Sequence, residues 1–145
     1  MRRPRACRPG VAIPDQALRL RLCAAGEQQL RQWAPLDALE SERAAAVLAV
    51  LAALPRADAN QACTAELGPE FLLIGEFAGR EPVAMPLRLY GCRTVGTPDD
   101  QRNGADKVLD AFRTELAAQR AATSPPAAGQ RTTPRCTPHW TPRAP

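Results

Sequence analysis

One stretch constrains the fold of this chain more than any other, residues Phe71 to Cys92, which read FLLIGEFAGREPVAMPLRLYGC. It is the densest apolar segment of the sequence that has the character of a strand. Phe71, Leu73 and Phe77 share one face, and Ala78 to Pro82 form a link of a common hairpin length. The pattern predicts a β-hairpin that ends in a cysteine and that the rest of the chain covers.

The return strand of this hairpin repeats the alternation at Val83, Met85, Leu87 and Leu89. Pro86 lies among them and has no N–H for a ladder. We therefore expect the second strand at the edge of its sheet, or bulged at the proline. Across the hairpin, Arg88 is expected to lie beside Leu72, and Glu76 beside Ala84.

The other predicted elements flank the hairpin. Glu66 to Pro69 reads as a turn that leads into Phe71. Ala17 to Cys23 alternates leucine and arginine and predicts a half-buried strand. A helix is expected to follow, capped by Asp37 or Ser41 and stopped by Pro55. Thr94 to Asn103 reads as a loop, and Ala105 to Ala121 carries the apolar stripe of a last helix.

This order, β-α-β-β-α, predicts an α+β fold: a small two-layer domain in which a three-stranded sheet carries two helices on one face. The domain is expected to span residues 15–121. The basic segment 1–14 and the Pro/Thr/Arg-rich tail 122–145 are predicted to be disordered.

The basic charge of the chain belongs to these two terminal segments. They hold seven arginines and no acidic residue. Their seven positive charges exceed the formal net charge of the whole chain, which is +4, so residues 15–121 carry a small net negative charge. An acidic domain argues against nucleic acid as its partner. The alternative is a cytosolic protein that binds nucleic acid or another polyanion through its Arg-rich tails.

Cysteine placement favours a disulfide. The chain has five cysteines, and Cys23, Cys63 and Cys92 lie at the edges of predicted elements. A hairpin brings together the residues just before and just after it, so Cys63–Cys92 is the favoured pair. Cys23–Cys92 and Cys23–Cys63 stay open as alternatives, because sequence does not fix connectivity. A disulfide indicates an oxidising compartment.

The sequence shows no transmembrane segment. Val11 to Ile13 is too short for the apolar region of a signal peptide. The longest apolar run, Ala44 to Leu54, is shorter than the roughly 20 residues that span a bilayer and predicts a buried helix.

No catalytic set, metal site or cofactor is expected. The single histidine, His139, lies in the tail, which removes histidine-based triads and dyads from the domain. With Cys136 it supplies two metal ligands, whereas zinc sites use three or four.

One loop resembles a calcium site by spacing but lacks the glutamate that normally closes it, and we interpret it as a polar loop. Its residues are Asp99, Gln101, Asn103, Gly104 and Asp110.

Arg19, Arg21 and Arg88 fall on the polar face of the predicted sheet and could bind an anion. The favoured alternative is an ordinary solvated sheet face.

Five segments together resemble small uncharacterised domains of exported proteins and lipoproteins from high-GC Gram-positive bacteria: Leu20–Cys23, Trp33–Pro35, Ala62–Ile74, Leu89–Arg93 and Gly104–Phe112. The resemblance covers about Leu18 to Arg120. It implies an extracytoplasmic setting and the cysteine pairing, and no activity is assigned to that type. The chain differs from it in having no recognisable export signal.

The sequence thus predicts a non-enzymatic binding or interaction domain of the secreted or cell-envelope space. Its partner is expected to be another protein or a cell-envelope component, and no residue pattern identifies it.

Overall fold

The computed structural model describes residues 13–14, 16–25 and 38–123. The predictions for most of the two terminal segments, and for the pair Cys136 and His139, lie outside these residues. The elements are β1 (Arg19–Ala24), β2 (Ala38–Glu40), α1 (Ser41–Ala53), β3 (Glu70–Glu76), β4 (Val83–Arg88), β5 (Thr94–Thr97), β6 (Asp100–Asn103) and α2 (Ala105–Ala122).

The strands form one antiparallel sheet in the order β2-β1-β3-β4-β5-β6. The α+β class is as predicted, but the three-stranded sheet is wrong, because the described residues alone form a sheet of six strands. Residues 38–40 form β2, although Leu39 and Glu40 were expected in the first turn of the helix, and the predicted loop 94–103 is the β5–β6 hairpin.

Length and polarity explain why these strands were missed. β2 has three residues, and β5 and β6 have four each, which is too short to display a period of two. The four residues of β6 are all polar, and none is fully buried. A strand of this kind is specified by the segments that pair with it rather than by its own pattern.

One face of the sheet and the two helices enclose a single core. The sheet contributes Leu20, Phe71, Leu73, Met85 and Leu87, none more than 1% exposed. The helices add a shared set of buried residues, which includes Val47, Leu48, Leu51, Val108, Leu109, Phe112 and Leu116. The period of two in the strands and the stripe in α2 are therefore both directed at this core.

The hairpin register differs from the predicted one by two residues. Arg88 was expected beside Leu72, but it pairs with Glu70, and Leu72 lies opposite Pro86. β4 is also an internal strand, not an edge strand. Its ladder to β5 contains the single pair Leu87–Val95. The missing N–H of Pro86 therefore falls beside a short ladder, where its absence costs little.

One outer edge of the sheet, at β2, is closed by a side chain. The Nε2 of Gln119, on α2, donates to the carbonyl of Ala38 at 2.8 Å, and the backbone N–H of Glu40 donates to the Oε1 of Gln119 at 2.9 Å. The amide thus occupies the positions that a neighbouring strand would use. Glu40 is the residue before α1, and no side chain there caps the helix.

The opposite edge, at β6, is closed by backbone. The N–H of Ala57 donates to the carbonyl of Gln101 at 2.8 Å, and the N–H of Asn103 donates to that of Pro55 at 2.9 Å. Arg56 lies opposite Arg102 in an isolated bridge. The segment that follows α1 therefore acts as one more short strand.

Candidate functional site

A disulfide joins the two ends of the hairpin region. Cys63, seven residues before β3, is bonded to Cys92, which follows β4, with their Cα atoms 4.9 Å apart. This is the pair that the hairpin geometry favoured. Because Cys63 and Cys92 bond each other, neither is available to Cys23, and both alternative pairings are absent.

Cys23 lies inside the protein and not at this site. It is 5% exposed on β1, and it also takes part in a disulfide. Its register partner on β3 is Leu72.

We call residues 62–68 the tethered loop, since both of its ends are attached to the stretch Leu89 to Cys92. The disulfide holds the first end. At the second end the N–H of Leu89 donates to the carbonyl of Pro69 at 3.0 Å. A Cβ atom built on Gly68 would lie 2.8 Å from the Cβ of Tyr90, so the loop rests on that tyrosine and leaves no room for a side chain.

Polar contacts strengthen the second attachment. The hydroxyl of Tyr90 donates to the carboxylate of Glu70 at 3.0 Å, and the Nε of Arg88 lies 3.4 Å from the same carboxylate. Gly91 has a φ of +59°, a conformation that favours glycine. The stretch beneath the loop is therefore a turn of fixed shape.

The tethered loop itself faces solvent. All seven of its residues are exposed, and in the described part of the chain no backbone hydrogen bond joins them to the sheet. Leu67 is 96% exposed, against 57% for Leu18, the other exposed large apolar residue of the described ranges. A leucine is thus displayed on a loop whose ends are fixed.

A cleft of about 660 Å³ adjoins the first half of the loop. Its walls come from residues 56–66, 88–94 and 98–101, and it includes both cysteines of the disulfide. Charged side chains of both signs line it, namely Arg56, Asp58, Glu66, Arg88, Asp99 and Asp100.

The most enclosed of these carboxylates is already engaged. Asp100 accepts hydrogen bonds from the Nε of Arg102 at 2.8 Å and from its Nη2 at 3.2 Å. These bonds, with the nearby charges of Arg102 and Arg56, lower the pKa of Asp100. Asp100 is therefore a fixed anion of the wall and not a proton donor.

The predicted arginine face is present but neutralised. Arg21 is bonded to Glu76, Arg88 pairs with Glu70, and the Nη2 of Arg19 lies 3.7 Å from the carboxylate of Glu40. Each guanidinium has an acidic neighbour, which favours the interpretation as a solvated sheet face. Binding of an anion by Arg19, Arg21 and Arg88 stays a prediction.

The residues with calcium-like spacing are divided between elements. Asp99 is in the β5–β6 turn, Gln101 and Asn103 are on β6, and Asp110 is on α2. The side chain of Asn103 forms a reciprocal amide pair with Gln61, each bond 3.0 Å. Among the described residues, no three side chains of the His, Cys, Asp and Glu types are grouped to hold a metal ion.

Leu67 was missed by sequence reasoning, which interpreted Glu66 to Pro69 only as a turn before the hairpin. The available signal is its isolation, since no apolar residue lies within two positions of it except Ala65. Such a leucine has no partner in a strand or helix pattern.

None of the described helices is long and apolar enough to cross a membrane. Comparison of the chain with protein-family models, with curated proteins and with solved structures gave no match.

Proposed function

We propose that this chain is a non-enzymatic interaction domain that works outside the cytoplasm and binds another protein through the tethered loop. The observation that carries the proposal is Leu67, a large apolar side chain at 96% exposure on a loop held at both ends. A single exposed leucine is ordinary on a protein surface. A leucine exposed on a cross-linked loop is different, because a loop that is already ordered loses little conformational entropy when it binds.

The disulfide supports the extracytoplasmic setting. Bonds of this kind persist in secreted and envelope proteins and are rare where glutathione and thioredoxin keep thiols reduced. Cys63 lies in an exposed loop, so a reductant could reach it. The compartment must then be oxidising for the loop to keep its attachment.

Photo-crosslinking tests the binding surface. A benzoylphenylalanine at position 67, in the full oxidised chain and in the cells that produce it, is expected to form a protein adduct. The matched control places the same group at Arg80, which is exposed in the β3–β4 turn without a tether. The adduct should be lost from position 67 when Cys63 and Cys92 are replaced by serine. No adduct at position 67, or equal adducts from position 80, contradicts the proposal.

Thiol trapping tests the compartment. Intact cells are treated with an alkylating reagent before lysis, and modified cysteines are mapped by mass spectrometry. Cys63 and Cys92 are expected to stay unmodified until a reductant is added. Alkylation of both cysteines in cells that received no reductant would show that the protein is reduced. That result would contradict the extracytoplasmic setting.

The alternative, a cytosolic protein that binds a polyanion through its Arg-rich tails, concerns residues that are mostly outside the described ranges. It stays a prediction of the sequence. If it holds, deletion of residues 1–14 and 122–145 abolishes salt-dependent binding to DNA. DNA binding that survives the deletion unchanged contradicts it.

A further inference from the structure

We infer that the partner is a serine endopeptidase with an apolar specificity pocket, and that the tethered loop occupies its substrate groove with Leu67 in that pocket. This inference rests on the proposed function and adds the class of the partner. The domain then acts as an inhibitor of proteolysis.

The shape of the loop is the first argument. Residues 61–69 form no helix or strand, and residues 62–68 are all exposed. Endopeptidases bind their substrates as extended, accessible segments, and folded proteins are cut mostly at exposed loops. The tethered loop presents an accessible segment outside any helix or strand without any unfolding of the domain.

The attachment of the loop is the second argument, because it makes cleavage unproductive. Hydrolysis of the Leu67–Gly68 bond adds one water and creates a carboxylate on Leu67 and an amine on Gly68. The first new end stays attached through Cys63 to Cys92, and the second through Pro69 to Leu89. Both ends therefore remain beside the enzyme, where loss of the same water restores the bond. An untethered loop would release them.

The side chain is the third argument. A pocket of the chymotrypsin type is a hydrophobic slot, whereas that of trypsin contains an aspartate. Leu67 has no neighbour of its own to cover it, so the pocket would bury a side chain that water now surrounds almost completely. Protease–inhibitor complexes are preformed in this way, with little change in the interface backbone.

Inhibition assays with the oxidised full chain test the inference. The probes are subtilisin and chymotrypsin, each with a chromogenic peptide substrate, and trypsin serves as the contrasting enzyme. We expect inhibition of at least one of the first two and none of trypsin. Leu67→Ala should raise the inhibition constant by about 10- to 100-fold, as expected for loss of a buried leucine. Leu67→Lys should transfer inhibition to trypsin.

A matched control separates the loop from general apolar contact. Leu18→Ala removes the other exposed leucine of the described ranges and should leave the inhibition constant unchanged. Since both side chains are exposed, both variants are expected to keep the wild-type melting temperature, which is measured alongside.

The disulfide provides a second readout. The Cys63→Ser/Cys92→Ser variant should be cut within residues 63–69, giving two fragments on reducing, denaturing electrophoresis, and its untethered new ends should leave the enzyme, so that it behaves as a substrate and not as an inhibitor. Mass spectrometry locates the cut. Cleavage of this variant only outside the loop would overturn the inference, even if the variant is less stable.

The two proposals can fail separately. If the chain inhibits none of the three enzymes while position 67 crosslinks a protein that is not an endopeptidase, this inference is wrong and the interaction domain stands. If inhibition occurs but is equal for wild type, Leu67→Ala and Leu67→Lys, the tethered loop is not the inhibitory element. Absence of both crosslink and inhibition removes both proposals.

Discussion

The two outer edges of the sheet are closed by different means. At the β2 edge, a single side-chain amide, that of Gln119, pairs with Ala38 and Glu40. At the β6 edge, backbone bonds from residues 55–57 are reinforced by Arg102, whose Nη1 donates to the carbonyls of Ala52 and Leu54 at 3.0 Å each. Arg102 thereby joins the end of α1 to Asp100 and to the sheet.

The edge that adjoins the cleft is the one with more bonds. The β6 edge and the segment after α1 form walls of the cleft beside the tethered loop, and several independent bonds hold them. The β2 edge lies at the opposite end of the sheet, and among the described residues the amide of Gln119 closes it. Unpaired strand edges are templates for association, so loss of that amide should affect association more than it affects the loop.

Arg102→Met should cause the largest loss of stability. The change leaves Asp100 and two helix-end carbonyls without their donor, and it should lower the free energy of unfolding by about 3 kcal/mol. Urea denaturation measures the difference. The control is Arg56→Met, because the side chain of Arg56 is 73% exposed and its Nε is 3.9 Å from Asp100, so a change within about 0.5 kcal/mol is expected. Equal losses for the two variants would contradict a special role for Arg102.

Asp100→Asn should cost less, about 2 kcal/mol at neutral pH, because one charged partner of Arg102 becomes a neutral acceptor. The lowered pKa of Asp100 also fixes the sign of the pH dependence. Its contribution is complete above the ordinary aspartate pKa of about 3.9 and is lost as the pH falls through the lowered value. The stability difference between wild type and variant should shrink as the pH is lowered from about 5 through the lowered pKa of Asp100. A difference that is constant across this range would be inconsistent with the ion pair.

Gln119→Ala tests the β2 edge. Two hydrogen bonds are lost, and we expect a decrease of about 1–2 kcal/mol together with concentration-dependent association, measured by sedimentation velocity. Thr114→Ala, at an exposed position of the same helix, is the matched control. A variant that loses stability but stays monomeric at all concentrations would show that Gln119 does not protect the edge.

Gln61→Ala should have the smallest effect. It removes the amide pair with Asn103, which should cost about 0.5–1 kcal/mol. Because this pair ties the beginning of the tethered loop to β6, hydrogen exchange should increase in residues 58–63 and not in α2. Uniform exchange changes across the chain would indicate a general loss of stability instead.

The long elements could be predicted because the spacing of apolar residues that defines each one lies within its own sequence. Leu20 and Leu22 on β1, Phe71 and Leu73 on β3, and the stripe of α2 are all buried as their periodicity requires. β6 could not be predicted this way. Asp100 and Arg102 bond each other across two positions, but Arg102 also bonds the end of α1, which lies about fifty positions away in the sequence.

The candidate site was only partly accessible to prediction. The Cys63–Cys92 pair was favoured from the hairpin, because antiparallel pairing brings the segments before and after it together, but the sequence left two other pairings open. The register did not follow, since a shift of two residues keeps the same face buried and only the real pairing shows Glu70 beside Arg88. The display of Leu67 depends on Gly68 resting against Tyr90, a contact with no sequence signature.

The tethered loop separates the residues that hold it from those that it displays. Cys63, Gly68 and Pro69 make its attachments, whereas residues 64–67 are exposed and contribute nothing to the core. Substitutions there should be nearly neutral for folding, since surface changes away from structural contacts rarely exceed about 0.5 kcal/mol. The four positions can therefore diversify at constant stability, so the surface that the loop presents can change while the fold stays the same.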